Sequence, residues 1–310
     1  MSRSILPPLC IALLLGASAV RGAEPVAAPA LPVERAPLEE RSQDEAIALQ
    51  RQLPTAEQQQ LEAGGEHFLA LWKPANSPTP SGLVILVPGE GEHPDWPRVV
   101  GPLRSKLADA GWHTLALSLP DPLGDPLQAR PPEAIEPAKK DDAAKTDAPP
   151  TTAAEETPPA ASAEDQRKAH GDRVMARIQA GLDFATDKQV KTVVLLGHGS
   201  GAWWAASFLA ERKPAQIHQL LMVEASIPAG YAPPLDELVP PLKLATGDFY
   251  YKDRQADAAL ARQQASKRLQ HPAYALIGLN ALPANPDAEE EQLARRVRGW
   301  LTRNVGEAKK

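Results

Sequence analysis

TVVLLGHGSGAWW, Thr192 to Trp204, is the stretch that decides how the chain is arranged. Thr192 to Leu196 is β-branched and aliphatic and stops at Gly197, the punctuation of a buried strand entering a tight bend. Gly197, Gly199 and Gly201 then alternate with His198 and Ser200, and the residues from Ala202 onward read as a helix. A strand, a sharp small-residue turn and a helix follow one another here without a spacer.

The same rhythm extends outward on both sides. Upstream, Phe68, Ala70 and Trp72 alternate with their neighbours as a half-buried strand begun near Glu66. Leu83 to Val87 is a continuous apolar run, which reads as a strand buried on both faces. It leads through Pro88, Gly89, Glu90 and Gly91 to a helix expected from Pro97 to Ala110, stopped by Gly111, and to a strand from Trp112 to Leu119. Strand, helix, strand in that span is a βαβ unit, which makes the sheet parallel there. Val174, Ile178, Leu182 and Phe184 form the apolar stripe of a helix leading back to Thr192. Downstream, strands are expected at Ile217 to Val223, Leu242 to Ala245 and Tyr274 to Leu279, and helices at Ala256 to Leu269 and Glu289 to Leu301. Strands alternating with helices in this way predict an α/β fold with a doubly wound, mainly parallel sheet.

The ends and one internal stretch do not follow that pattern. Arg3, the apolar run Ile5 to Leu15 and the small residues after it have the layout of a cleavable secretory leader, residues 1–19, with cleavage after Ala19 or Ala23. The run is too short to span a bilayer, so no transmembrane segment is expected in the mature chain and the periplasm is its expected compartment. Cys10 is the only cysteine and leaves with the leader, so neither disulfide nor thiolate ligand follows. Residues 20–37 read as an Ala/Pro-rich tether, and 38–64 as a helical extension with helices over Glu39 to Gln52 and Thr55 to Glu62, ahead of a domain over 65–304. Within that domain, 121–164 is a Pro, Ala and charge-rich stretch with no aromatic residue. It reads as a disordered insertion, because it holds too little apolar surface to offset its ordering entropy. A net charge of −6 leaves no footprint for nucleic acid.

VILVPGEG, HPDWP, LADAGWHTLALSLPD, VVLLGHGSGA and RVRGWL together resemble an uncharacterised family of exported bacterial proteins, domain-of-unknown-function family 3530, of the α/β-hydrolase superfamily. The resemblance runs from about Glu66 to Leu301 and implies an α/β-hydrolase-like fold. In that superfamily Gly-x-Ser-x-Gly holds the nucleophile on a strained strand-to-helix turn. Laid over that pattern, Gly197 and Gly201 take the outer positions, His198 the first variable one, and Gly199 falls where the serine belongs, with Ser200 one residue late. The loop Gly89, Glu90, Gly91 stands where the resemblance implies backbone donors for an oxyanion. Asp248 fits the position of the acid, and Asn280 stands where the base histidine is expected.

The remaining candidates carry a bland and a sharp reading. Ser200 is either a helix cap or a displaced nucleophile, and His198 either packs beneath the turn or acts as base. His93 and Asp95 either hold a loop or bind a ligand, while His271 precedes the last strand, at the wrong end of a parallel-sheet site. Trp203 and Trp204 are expected in the core, and Glu224, at the end of a strand, is expected to be paired. No residues have metal-ligand or dinucleotide-loop spacing, so no cofactor is expected. Two functions follow from this set. The first is a binding or scaffold protein in the periplasm, taking a small molecule or an envelope protein. The second is a serine esterase using Ser200 with His93 or His198, and Asp248.

Overall fold

The structure, a computed structural model, describes residues 40–122 and 162–306. The leader at 1–19, the tether at 20–37 and most of the stretch 121–164 lie outside them. The strands are β1 (Gln58–Ala63), β2 (Glu66–Lys73), β3 (Leu83–Val87), β4 (His113–Leu117), β5 (Val193–His198), β6 (Ile217–Val223), β7 (Ala245–Tyr251) and β8 (Tyr274–Leu279). They form one sheet in the order β1-β2-β4-β3-β5-β6-β7-β8. β1 and β2 pair antiparallel, β2 joins β4 antiparallel, and all pairings from β4 to β8 are parallel.

The continuous apolar runs are explained by helices on both faces. Leu83, Ile85 and Val87 of β3 and Val193 and Leu195 of β5 point into one core with Val174 and Ile178 of α3 (Ala163–Asp187) and Trp204 and Phe208 of α4 (Gly201–Arg212). Val84, Leu86, Val194 and Leu196 point into the other. There they meet Leu49 of α1 (Arg41–Gln52), Leu103 and Leu107 of α2 (Val100–Asp109), and Leu293, Val297 and Trp300 of α7 (Pro286–Gly306). All five residues of β3 are buried, and each large apolar side chain so buried contributes about 1.5–3 kcal/mol. Two further helices, α5 (Leu235–Leu238) and α6 (Ala256–Arg268), flank β7.

Five expectations need correction. The helix expected over Thr55 to Glu62 is a 3-10 turn followed by β1, which turns into β2 at Gly64 and Gly65 with φ of 59° and 82°. Two adjacent glycines with positive φ close a two-residue hairpin of type I′, a signal that outweighs the helix propensity of the glutamines. Gln58 Nε2 donates to Gln50 O and Leu53 O, ending α1. The strand expected over Leu242 to Ala245 begins only at Ala245 and runs to Tyr251, through Gly247 and Asp248, which resemble strand breakers. Gly247 is closely packed there, since a Cβ would lie 3.0 Å from both the Leu221 and Trp300 side chains.

The third and fourth corrections concern the two ends of the acidic stretch. Asp121 belongs to the folded domain, because its Oδ2 accepts Ser42 N–H at 2.7 Å and its Oδ1 meets Arg41 Nη2 at 2.7 Å. A carboxylate at the first turn of α1 does what its own N-terminal residue, Glu40, does not. At the other end, Ser162 caps α3 by accepting Asp165 N–H at 3.1 Å, so Ala163 and Glu164 are already helical. The helix expected from Pro97 starts at Val100, because Arg98 has a φ of 72°.

Candidate functional site

The site is built where β5 gives way to α4. A Cβ on Gly197 would lie 2.4 Å from the Ala202 backbone, and one on Gly201 would lie 2.2 Å from Val87 O. Glycine at these two places lets the helix start against the ends of β5 and β3. Between them Gly199 has a φ of 54°, donates its N–H to Val223 O and accepts Ser226 N–H, each at 3.0 Å. The bend is thus the strained turn that the pattern requires, and at the nucleophile position it has no side chain. A Cβ there would meet nothing closer than 3.8 Å.

Ser200 is buried, and its side chain does not cap α4. Its Oγ accepts the N–H of Glu90 at 2.7 Å. The neighbouring N–H, that of Gly89, donates to Glu92 Oε2 at 2.7 Å. The same carboxylate oxygen lies 2.7 Å from His198 Nδ1. Two backbone donors of the loop after β3 are therefore engaged by side chains, Ser200 through one and Glu92 through the other. His198 does not pack passively beneath the turn. Glu92 accepts its Nδ1–H, which leaves Nε2 as the free ring nitrogen.

The other sequence candidates are placed apart from Ser200. His93 Nδ1 accepts Asp95 N–H at 3.2 Å and its ring meets Trp96 edge-on, while Asp95 binds Arg104 at 2.7 Å, so this pair shapes the loop. Asp248 is fully buried in the middle of β7 and not after it. Arg262 holds it through two bonds of 2.8 and 3.0 Å, and the Tyr274 hydroxyl also donates to it. Burial and the Asp248 charge push the Tyr274 hydroxyl well up. Asn280 follows β8 as expected, with its backbone clasped by Gln292 at 3.1 and 2.8 Å. His271 lies at the amino end of β8, where its ring meets Tyr274 edge-on. Trp203 and Trp204 are both in the core, perpendicular to each other with centroids 4.8 Å apart.

A cavity of about 160 Å³ opens at the carboxyl ends of β5, β6 and β7, walled by His198, Glu224, Tyr251, Arg254, Arg98 and Trp96. Glu224 carries a φ of 50°, and Arg254 lies 3.7 Å from Glu224 and 3.7 Å from Glu289. Burial, with the Glu289 carboxylate beside it, pushes the Tyr251 hydroxyl well up. An open groove of about 750 Å³ adjoins this cavity through Arg254 and includes Ser226 and Gln255. Among the described residues no group of three or more His, Cys, Asp or Glu is gathered as a metal would need, and no helix is long and apolar enough to cross a membrane. Glu92, Arg98, Tyr251 and Arg254 escape sequence reasoning. The only available signal was the carboxylate of Glu92, three residues after Gly89 in the loop that faces the turn.

Solved structures show the same fold. Est1E from Butyrivibrio proteoclasticus is similar with a TM-score of 0.53 at 12% identity, over 81% of this chain and 99% of that one. An esterase from Pyrococcus furiosus gives 0.52 at 14%, over 80% and 90%. Dienelactone hydrolase from Anabaena variabilis gives 0.51 at 15%, over 80% and 99%. No curated protein matches the sequence. A family model described as protein of unknown function (DUF3530) matches residues 6–303, and the chain, with its α/β-hydrolase fold, belongs to that family.

Proposed function

We propose that this protein is exported to the periplasm and uses a hydrolase fold to bind a ligand, without forming an acyl-enzyme. The observation that carries the reading is the 2.7 Å bond from Glu90 N–H to Ser200 Oγ, next to a nucleophile position occupied by Gly199. Acyl transfer needs an activated nucleophile and oriented donors for the oxyanion. Here the Glu90 donor and the Ser200 hydroxyl are bonded to each other. An entering carbonyl oxygen would have to separate them, and among the described residues no imidazole is hydrogen-bonded to that hydroxyl: His198 Nδ1 is turned to Glu92, and Asn280 follows β8.

The test is labelling of the purified mature protein with a fluorophosphonate probe, alongside turnover of short-chain p-nitrophenyl esters. The expected result is no label, and turnover equal to that of Ser200→Ala. Labelling that disappears in Ser200→Ala would make the protein a serine esterase and overturn the proposal. Export is tested separately by cell fractionation with the leader at 1–19 present and deleted; protein that stays in the cytoplasm in both cases refutes the periplasmic assignment.

A further inference from the structure

His198 is 8% exposed, and its Nδ1–H is fixed on Glu92, which leaves its Nε2 without a partner among the described residues. It lines the 160 Å³ cavity beside the elbow. Two residues of that wall, Glu224 and Arg98, adopt left-handed backbone angles of 50° and 72° that side-chain-bearing residues seldom take. Such strain costs on the order of 1–3 kcal/mol each and gathers at ligand clamps. Arg254 bridges Glu224 and Glu289 at 3.7 Å, longer than the 2.7–2.9 Å or so of a charge-assisted hydrogen bond, so its N–H groups stay open to another acceptor.

The chemistry of this wall selects a class of ligand. Glu224 and Glu289 are already compensated by Arg254, and Glu92 by His198 and Gly89 N–H. An anion that reached Arg98 and Arg254 would also face the Glu224, Glu289 and Glu290 carboxylates of the same wall, and a cation would face the two guanidinium groups. A neutral molecule with several hydroxyls suits both, since each hydroxyl both donates and accepts. His198 Nε2 and the Glu224 carboxylate accept; the Arg254 and Arg98 guanidinium groups donate; the Trp96 ring offers an apolar surface. At about 30 Å³ per water, 160 Å³ is space for about five waters, the room for one small ring. We propose that this cavity binds a single sugar unit, free or at the end of a larger carbohydrate, with His198 Nε2 accepting one of its hydroxyls. The proposal deepens the binding-protein reading and rests on it.

The test titrates the isotope-labelled wild-type mature protein with glucose, galactose, N-acetylglucosamine and glycerol, and in parallel with phosphate, acetate and spermidine. Binding is read by calorimetry and by the imidazole nitrogen signals of His198. A sugar that saturates and moves the Nε2 signal is the expected result, with affinity falling at least tenfold in Glu224→Gln and in His198→Phe. Should His198→Phe fail to fold, the wild-type nitrogen signal and Glu224→Gln decide the matter. Saturation by an ion alone, saturation that leaves the His198 signal unmoved, or no saturation by any of the sugars would overturn the proposal. Fluorophosphonate labelling is measured on the same preparation, so failure of the non-acylating reading is seen independently of failure to bind sugar.

Discussion

Ser200 Oγ and Glu90 N are 2.7 Å apart, so the loop after β3 is bolted to the start of α4 by the Ser200 hydroxyl. Glu92 extends the closure by joining Gly89 N–H to His198.

Removing that bolt tests whether it holds the loop. Ser200→Ala leaves Glu90 N–H without its partner and should cost about 0.5–1.5 kcal/mol, the net worth of an ordinary hydrogen bond. For a domain of this size about 1 kcal/mol lowers Tm by roughly 2–4 °C. A thermal melt unchanged from wild type would show that the contact contributes nothing to the closed loop.

Two glycines of the elbow, Gly201 and Gly199, should behave differently from each other. Gly201→Ala drives a Cβ to 2.2 Å from Val87 O and 2.3 Å from Pro88 O, both backbone atoms, and should abolish soluble expression. Gly199→Ala meets nothing within 3.8 Å and has only its φ of 54° to contend with, a cost of about 1–2 kcal/mol. The measurement is expression followed by urea unfolding, and equal losses at the two positions would contradict the geometry.

What the sequence made legible follows from where its signals are local. β3, β6 and β8 occupy the residues expected of them, and in β3 the wholly aliphatic, wholly buried run Leu83 to Val87 has one reading in a sheet covered on both faces. The elbow was also legible, since only glycine fits where α4 begins against β3. β7 was not, because Gly247 and Asp248 look like a turn until Trp300 and Arg262 are brought to them from the chain beyond. The bond between Glu92 and His198 spans 106 positions, and no periodicity reports a pair so separated. For the same reason Asp248 reads as a catalytic acid in the sequence and is held by an arginine in the fold.

That arginine supplies a test of its own. Asp248 is fully buried, and Arg262 is 3% exposed. Arg262→Met leaves the carboxylate held only by the Tyr274 hydroxyl and should cost about 3–5 kcal/mol, the usual loss when one partner of a buried pair is removed. The double change Asp248→Leu with Arg262→Met removes both charges and should recover most of it. Urea midpoints of the three proteins check this, and a double variant as unstable as Arg262→Met would show that the site needs the ion pair itself.

Histidine burial gives the protein an acid limit. His170 on α3 is 5% exposed, with Nδ1 2.8 Å from the Tyr231 hydroxyl and Nε2 3.2 Å from Pro120 O. A carbonyl only accepts, so Nε2 carries a proton, while the one proton of the Tyr231 hydroxyl is shared between Nδ1 and Arg167 O, the latter at 2.9 Å. Burial lowers the pKa of this ring below its ordinary value of 6.5, and burial does the same to His113 and His271. The unfolded chain, titrating near 6.5, therefore binds protons that the folded chain refuses. Stability is full above that pH and is lost as the pH falls through the lower folded values, with a slope of at most about 1.4 kcal/mol per pH unit for each histidine. His170→Gln should flatten the decline between pH 7.5 and 5.5 without abolishing it, because His113 and His271 still titrate. Urea midpoints at both pH values give the slope, and a variant that declines as steeply as wild type would show that His170 takes up its proton equally in the folded and unfolded chain.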